Sequence, residues 1–298
     1  MDNLFRYISH DGSVVLNVLD STEIVSTMER LHHTSATASA ALGRLLTAAS
    51  LMGYGLKDDN CSMTVVIKGD GPIGSLTVVS DWLGNVRGYC DNPLADLPEN
   101  SKGKLDVGGV VGHNGYLYVV KDLGMDTPYI GQIELVTSEI AEDITAYYAN
   151  SEQIPTACAL GVLVDKDLTI KKSGGFLLQL LPGADEAYID IIESNIAELE
   201  SITSLMEAGK TPEDIAALVL KDLEPELLDS TETTYKCTCS RDRMEKVLIS
   251  LGKKELYSLA EEQENTEIVC HFCNSVYNFT SEELIALANS NGIEEDNK

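Results

Sequence analysis

The chain has 298 residues, enough for two or three domains with a substantial apolar core. It carries 21 Lys and Arg against 48 Asp and Glu, a formal net charge of −27 at pH 7. Such an acidic chain repels nucleic-acid phosphates and anionic lipid surfaces, so we expect neither as a partner. No secretory signal is visible, and no stretch reaches the roughly 18 uncharged apolar residues of a membrane span. We therefore expect a cytoplasmic protein, where thiols stay reduced.

The first part of the chain has the pattern of mixed α+β structure. A strand is predicted at 14–19 and a helix at 34–52, whose many Ala and Gly residues allow close packing against a neighbouring element. Glycine-rich turns then separate a train of short strands, as hairpins require: 62–68, 75–80, 86–89, 116–121 and 130–136. A further helix is predicted at 138–148. Two more strands are predicted at 157–164 and 176–181, joined through 165–167 and 173–175.

After Pro182-Gly183 the pattern becomes helical. One amphipathic helix is predicted at 184–206, and a second begins at Thr211, which stands before Pro212 and three residues before Asp214. Both carry apolar stripes that we expect to pack against the preceding domain. Residues 225–235 are polar and rich in helix breakers, which predicts a linker, and residues 289–298 are predicted to fray.

These patterns predict an α+β protein in three parts. An α+β core domain takes residues 1–182, a helical linker takes 183–235, and a small C-terminal module takes 236–298. A C-terminal module of about sixty residues has a thin core, so we expect it to need additional stabilisation.

Four of the seven cysteines lie in the C-terminal module. They stand as Cys237-Thr238-Cys239 and Cys270-His271-Phe272-Cys273, with thirty residues between the pairs. Two close thiol pairs at this spacing are typical of a zinc site with four thiolate ligands. The same thiols could instead close two local disulfides, so the site is a candidate redox switch. His271 is not expected to be a ligand, because four sulfurs already fill a tetrahedral site.

Other features near and outside this site have plainer interpretations. Six cations in the C-terminal region either offset the charge of the thiolates or form an ordinary solvated face: Lys236, Arg241, Arg243, Lys246, Lys253 and Lys254. Cys61, Cys90 and Cys158 stand singly among apolar neighbours and are predicted to be small buried side chains. The pair His32-His33 is expected at a helix start or an interface.

The segment Gly69-Asp70-Gly71-Pro72-Ile73-Gly74 matches the dinucleotide-binding fingerprint letter for letter. That fingerprint must open a helix after a strand. Here Pro72 interrupts it and a predicted strand follows, so a hairpin turn is the better interpretation.

The C-terminal module also carries a family resemblance. Its segments are Cys237-x-Cys239-Ser240-Arg241-x-Arg243, Leu251-Gly252-x-x-Glu255-Leu256 and Cys270-x-Phe272-Cys273-x-x-x-Tyr277-x-Phe279. Core segments agree with them: Gly71-Pro72 followed by Arg87-Gly88-Tyr89, and Gly174-Gly175-Phe176-x-x-Gln179-x-x-Pro182-Gly183. Over nearly its whole length the chain resembles the heat shock protein 33 family, which are bacterial redox-regulated holdase chaperones.

The resemblance implies a mechanism. The reduced protein would be folded and inactive, with one Zn²⁺ on Cys237, Cys239, Cys270 and Cys273. Peroxide or hypochlorite, together with an unfolding stress, would form the disulfides Cys237–Cys239 and Cys270–Cys273 and release the zinc. The module and the linker would loosen, and the exposed apolar surface would capture unfolding clients without ATP or any enzymatic activity. Active family members are homodimers, and the resemblance implies that the core domain, residues 1–182, carries client binding and dimerisation.

Three alternatives remain at this point. A thiol–disulfide oxidoreductase needs its Cys-x-x-Cys at a helix N-terminus, whereas Asn274–Tyr277 is predicted to be a strand. A nucleic-acid-binding zinc ribbon conflicts with the net charge. A permanently folded zinc module would make the site structural only, and its activity would not change on oxidation.

Overall fold

The structure is a computed structural model that describes residues 2–290. Residues 291–298, most of the segment predicted to fray, lie outside the described residues, while Asn289 and Ser290 belong to a helix. The chain divides into two compact units, the first ending at Lys236 and the second beginning at Cys237. The α+β class is confirmed. No helix within residues 2–290 is long and apolar enough to cross a membrane.

The first unit contains ten strands and seven α-helices among its described residues. Its strands are β1 (Asp2–Ile8), β2 (Val14–Asp20), β3 (Ser62–Lys68), β4 (Ser75–Asp81), β5 (Val86–Cys90), β6 (Tyr116–Asp122), β7 (Tyr129–Glu134), β8 (Thr156–Val164), β9 (Ile170–Leu180) and β10 (Glu226–Thr233). Its α-helices are α1 (Thr22–His32), α2 (Ala36–Gly53), α3 (Val107–Val111), α4 (Ala141–Tyr147), α5 (Ala187–Ala197), α6 (Ile202–Glu207) and α7 (Pro212–Val219). A π-helical turn, Tyr148–Glu152, extends α4.

Two antiparallel sheets enclose the central helix α2. One has the strand order β10-β1-β2-β9-β8 and the other β5-β4-β3-β6-β7. Ser35 caps α2 by accepting a hydrogen bond from the Ala38 N–H, at 3.1 Å. The small residues of α2 are buried on nearly every side, and a Cβ on Gly43 would lie 2.7 Å from a methyl of Val25. The predicted close packing of this helix is therefore confirmed.

Most predicted strands and helices are present within a few residues of their predicted ends. β1 and α1 were not predicted from the sequence, because each mixes apolar and charged residues within one short segment. Because α1 precedes them, His32 and His33 end a helix, and the expectation of a helix start was wrong. His33 is the C-cap with φ 50°, and its N–H bonds to the carbonyl of Glu29 at 2.7 Å.

The glycine segment between β3 and β4 is a hairpin turn, as predicted. Gly71 N–H donates to the carbonyl of Val111 at 2.9 Å, and Ile73 N–H donates to the carbonyl of Val110 at 3.1 Å. A Cβ on Gly69 or Gly71 would collide with these carbonyls. Glycine is needed here for close backbone approach, and no helix follows that could bind a dinucleotide phosphate.

The predicted turn at 173–175 was wrong, because these residues lie inside β9. A Cβ on Gly174 would lie 2.6 Å from the carbonyl oxygen of Leu19, and one on Gly175 would lie 2.5 Å from that of Ala159. Both glycines therefore serve close strand approach rather than chain reversal. The reversal between β8 and β9 occurs before Thr169, with Leu168 at φ 71°.

The predicted continuous helix at 184–206 is also wrong in part. The helix breaks between α5 and α6, where the Ser201 side chain accepts the Ser204 N–H at 3.2 Å and starts a new helix. Thr211 and Asp214 form the predicted capping box at the start of α7.

Helices α5, α6 and α7 pack on one face of the first sheet, as the apolar stripes predict. We call this contact the linker–sheet cluster. Its buried sheet members are Tyr7, Val14, Leu16, Val18, Phe176 and Leu178, and its buried members from residues 192–223 are Ile192, Ile202, Leu205, Met206, Ile215, Ala216, Val219, Leu220 and Leu223. Asn195 is buried between two helices and donates to the carbonyls of Val219 at 3.2 Å and Lys221 at 2.9 Å.

The prediction of an irregular linker at 225–235 was wrong, because most of this segment is β10. β10 pairs with β1 from Asp2↔Thr233 to Ile8↔Glu226. Its side chains are mostly exposed and polar, so the backbone ladder, not apolar alternation, makes it a strand. The proposed division of the first unit at residue 182 remains a prediction.

Candidate metal centre

The second unit is built around a small apolar core. Its elements are α8 (Arg241–Ser250), α9 (Lys253–Glu262), β11 (Asn265–Val269), β12 (Val276–Thr280) and α10 (Ser281–Ser290). Five apolar side chains form the buried core of its described part: Leu248, Leu256, Phe279, Leu284 and Ala288. The guanidinium of Arg241 lies over the Phe279 ring, 4.3 Å from its centroid, and bonds to Glu283 at 2.7 Å.

Cys270 and Cys273 lie in the tight turn that joins β11 to β12. The Asn274 N–H bonds to the carbonyl of Cys270 at 2.8 Å, and the Cys270 N–H bonds to the carbonyl of Ser275 at 2.9 Å. Asn274 takes the left-handed conformation, φ 54°, that closes this turn. The turn therefore brings the two cysteines to the same end of the β11–β12 hairpin.

Cys237 and Cys239 lie immediately before α8. Ser240 caps that helix by accepting the Arg243 N–H at 3.3 Å. The Arg243 guanidinium in turn donates to the carbonyl of Thr238 at 3.1 Å. These bonds fix the residue between the two cysteines, so the backbone of Cys237-Thr238-Cys239 is held in place by the start of the helix.

The four sulfur atoms converge. Cys237 Sγ lies 3.7 Å from Cys270 Sγ, and Cys239 Sγ lies 3.4 Å from Cys273 Sγ. All four lie within 4.8 Å of one another. Sulfurs at the corners of a tetrahedron with Zn–S bonds of about 2.3 Å are about 3.8 Å apart. The donor set and the spacing therefore fit a tetrahedral thiolate site, and the four residues could hold a metal ion.

Two polar groups also touch the sulfurs. The Tyr277 hydroxyl donates to Cys239 Sγ at 3.1 Å, and the Ser275 hydroxyl lies 3.2 Å from Cys273 Sγ. Donors to sulfur stabilise a thiolate ligand and orient it. Sequence reasoning gave neither residue a role. The signal available was position alone, because Ser275 and Tyr277 follow Cys273 by two and four residues in a predicted strand.

The thiol pKa values differ within the cluster. Burial raises the pKa of Cys237 and of Cys270 above the ordinary thiol value. Burial also acts to raise the pKa of Cys273, but hydrogen bonds from Ser275 and the neighbouring thiols Cys239 and Cys237 outweigh it and lower the pKa to about 7. Four neighbouring thiols therefore resist simultaneous deprotonation unless a cation joins them, since a coordinated thiol is deprotonated outright.

Three of the six predicted cations make side-chain contacts within the second unit. Arg241 and Arg243 make the contacts described above with Phe279, Glu283 and Thr238. Lys253 lies over the Tyr257 ring, 5.9 Å from its centroid. His271 is exposed, as predicted.

The three other cysteines are separate from the cluster. Cys61 and Cys90 are buried, as predicted, whereas Cys158 is only half-buried. Burial raises the pKa of Cys90 to about 12 and also raises the pKa of Cys158. Neither of these two thiols has the lowered pKa of a reactive cysteine.

The Cys-x-x-Cys turn differs from that of an oxidoreductase. Cys270 and Cys273 are followed by the strand β12, as the sequence predicts, and they open no helix. The helix N-terminus that lowers the pKa of a redox-catalytic thiol is therefore missing at this turn.

Comparisons with known proteins agree over nearly the whole chain. A sequence model of the family described as Hsp33 protein matches residues 2–280. A protein of Clostridium beijerinckii named 33 kDa chaperonin is 46% identical over 289 residues, covering 97% of this chain and 99% of that protein. A protein of the same name from Acetivibrio thermocellus is 45% identical over 286 residues, covering 96% of each chain.

A solved structure shows the same architecture. The crystal structure of the 33 kDa chaperonin, a heat shock protein 33 homolog from Thermotoga maritima, superimposes with a TM-score of 0.88 at 38% sequence identity. The match covers 96% of this chain and 97% of the other. Both units of this chain therefore have counterparts in a protein of that name.

Proposed function

The chain belongs to the Hsp33 family, and from that premise we propose that it is a redox-regulated, ATP-independent holdase chaperone. It is inactive when reduced and zinc-bound, and oxidation of four cysteines activates it. The observation that carries the proposal is the convergence of four thiols within 4.8 Å inside a unit whose apolar core is small.

Cys237, Cys239, Cys270 and Cys273 are the proposed ligands of one Zn²⁺. An ion held there would keep the four thiolates deprotonated, and the four residues would then link the segment before α8 to the β11–β12 turn. Structural zinc sites contribute on the order of 10–16 kcal/mol to the folding of small modules. That contribution is of the same size as the roughly 5–15 kcal/mol by which whole domains are stable, so we expect the folding of the second unit to depend on its ligands.

Oxidation removes those ligands. In each pair, two zinc-bound thiolates lose two electrons and form one S–S bond, while one hydrogen peroxide takes up those electrons and two protons from the solvent and becomes two waters. The proposed pairs are Cys237–Cys239 and Cys270–Cys273. In the cluster, the sulfurs of Cys237 and Cys270 lie 3.7 Å apart, those of Cys239 and Cys273 lie 3.4 Å apart, and all four lie within 4.8 Å of one another. An S–S bond is only about 2.05 Å long, so each local disulfide draws its two sulfurs out of the tetrahedral arrangement. The link that a shared ion would make between the two segments is then lost, which couples disulfide formation to unfolding of the unit.

The linker–sheet cluster supplies the surface that unfolding would expose. Helices α5 to α7 cover a sheet face that includes Leu16, Val18 and Phe176, all nearly fully buried. Release of the helices bares two apolar surfaces at once, the helix stripes and the sheet face. Contiguous apolar patches of this kind bind other proteins. The net charge of −27 keeps such a species in solution, and we propose that it acts as a homodimer.

Light scattering of a heat-unfolding client tests the proposal. The client is mixed with the zinc-loaded reduced protein or with peroxide-treated protein, and released zinc is measured with a metal indicator in the same samples. We expect suppression of scattering only after oxidation, with one zinc released per chain. Equal suppression in both states would contradict the switch.

A further inference from the structure

The edge strand β10 contributes almost no apolar burial to the first sheet. Of its eight residues only Thr233 is buried, and Leu227 and Leu228 expose 55% and 54% of their surface. The register with β1 shifts between Arg6 and Tyr7, which leaves Leu228 as a bulged residue outside the pairing. β10 is therefore held chiefly by its backbone ladder.

The side-chain bonds of β10 are strongest at one end. Thr233 donates to the buried carbonyl of Gly84 at 2.5 Å. Towards the other end, Tyr54 donates to Asp229 at 2.7 Å and His10 lies 2.8 Å from Glu226, and both contacts are exposed. Exposed contacts of this kind contribute little. The part from Glu226 to about Thr231 is therefore the part of β10 that separates most readily.

Separation of β10 would leave β1 as an open edge. Alternate residues of an antiparallel strand direct their N–H and C=O groups to one neighbour, so β1 would lose a row of partners. Unpaired strand edges accept other extended chains. Leu227 lines a cavity of about 360 Å³ together with Phe5, Tyr7 and Pro212. An apolar side chain on an added strand would thus meet two aromatic rings beside the edge.

We propose that β10 occupies, in the reduced protein, a strand-binding site that an extended, apolar segment of a client protein takes after oxidation. The inference rests on the proposed function and adds its mode of recognition, which is main-chain pairing along β1 with alternate side chains against Phe5 and Tyr7. Main-chain pairing is independent of sequence, which suits binding of many clients.

Three labelled peptides test the inference with the oxidised full-length protein. The first has the sequence of residues 226–233 with its three acids replaced by the corresponding amides. The second and third carry backbone N-methyl groups on the residues that correspond to Asp229 and Thr231, or to Ser230 and Glu232. Each of these two peptides lacks two backbone N–H donors. In only one of the two peptides would the lost N–H groups have pointed towards β1. We expect binding by fluorescence anisotropy to fall at least tenfold for that peptide and to stay within twofold for the other.

The zinc-loaded reduced protein is the control and should bind none of the peptides, because its own β10 fills the site. Equal affinity of all three peptides would show capture by side chains alone and would overturn the inference, even with full client protection in light scattering. If the oxidised protein were dimeric and bound none of the peptides, the edge of β1 would be assigned to β10 of a second copy. That result would also overturn the inference. Failure of the proposed function itself would appear separately, as absence of protection and of zinc release.

Discussion

The two compact units are stabilised by different means. The first encloses α2 between two five-stranded sheets and has a large apolar core. The second buries five apolar side chains among its described residues and concentrates four thiols at one point. A large core tolerates the loss of single interactions, whereas a small module depends on its cross-links. One chemical change at sulfur can therefore unfold the second unit and leave the core of the first intact.

Metal removal should produce the largest difference between the two units. We expect a high-affinity chelator, added under reducing conditions, to unfold the second unit while α2 and the sheets of the first stay folded, because about 10–16 kcal/mol of ligation is lost. Heteronuclear NMR follows both units in one sample. The Cys61→Ala variant, which changes a buried thiol of the first unit, should respond identically. If the NMR signals of residues 241–290 stayed dispersed without metal, the second unit would be folded without its ligation, and the contrast between the two units would be contradicted.

Two phenylalanine substitutions sharpen the comparison. Phe176 and Phe279 are 1% and 0% exposed, and each replacement by alanine should cost about 3–5 kcal/mol. Phe279→Ala should lower the zinc affinity and unfold the second unit, because its core has few other members. Phe176→Ala should loosen the linker helices while α2 stays folded. Chelator competition measures the zinc affinity, and circular dichroism measures the loss of helix. An equal loss of zinc affinity in both variants would show that the two units are not stabilised independently.

The buried Asn195 should set how easily the linker helices separate. Asn195→Ala removes two hydrogen bonds from the C-terminal end of α7 and should cost about 1–3 kcal/mol. We expect faster hydrogen exchange in α5 and α7 and activation at a lower peroxide concentration, without change in α2. Ser194→Ala, at an exposed neighbouring position, is the matched control. Unchanged exchange in both helices would show that Asn195 does not couple them.

The folding stability of the first unit should depend on pH through the carboxyl group of Asp2. Its carboxylate accepts the N–H groups of Glu23 at 3.1 Å and Ile24 at 2.7 Å, and burial raises its pKa to about 6. The folded state then binds more protons than the unfolded state between about pH 4 and 6, so stability falls as pH rises through that range.

The Asp2→Asn variant isolates this contribution. From pH 4 to pH 7 the wild type should lose about 1–3 kcal/mol of unfolding free energy relative to the variant. Urea denaturation at several pH values measures the difference. Asn3→Ala, on the same strand, should shift stability equally at every pH. A constant difference between the wild type and Asp2→Asn would show that the carboxyl titrates alike in both states.

Features that depend on the pattern of side chains could be predicted from the sequence. Features that depend on backbone contacts between distant segments could not. Cysteine spacing identified all four converging thiols, and alternation identified most strands. The strand β10 was missed because its exposed polar residues carry no apolar period. Gly174 suggested a turn, but glycine is needed at this position because the carbonyl of Leu19 in a neighbouring strand leaves no room for a Cβ. Tyr277 stands four residues after Cys273, but its hydrogen bond is to Cys239, 38 residues earlier in the chain, so its position beside one cysteine pair did not reveal its contact with the other.

Region-resolved hydrogen exchange of the peroxide-treated protein tests the central claim most directly. We predict that residues 237–290 and helices α5 to α7 lose protection as zinc is released, while α2 and strands β2 and β9 keep theirs. Full recovery of protection should follow reduction and return of zinc. If the oxidised, zinc-free protein kept residues 237–290 as protected as the reduced protein does, the proposed coupling between sulfur chemistry and folding would be contradicted.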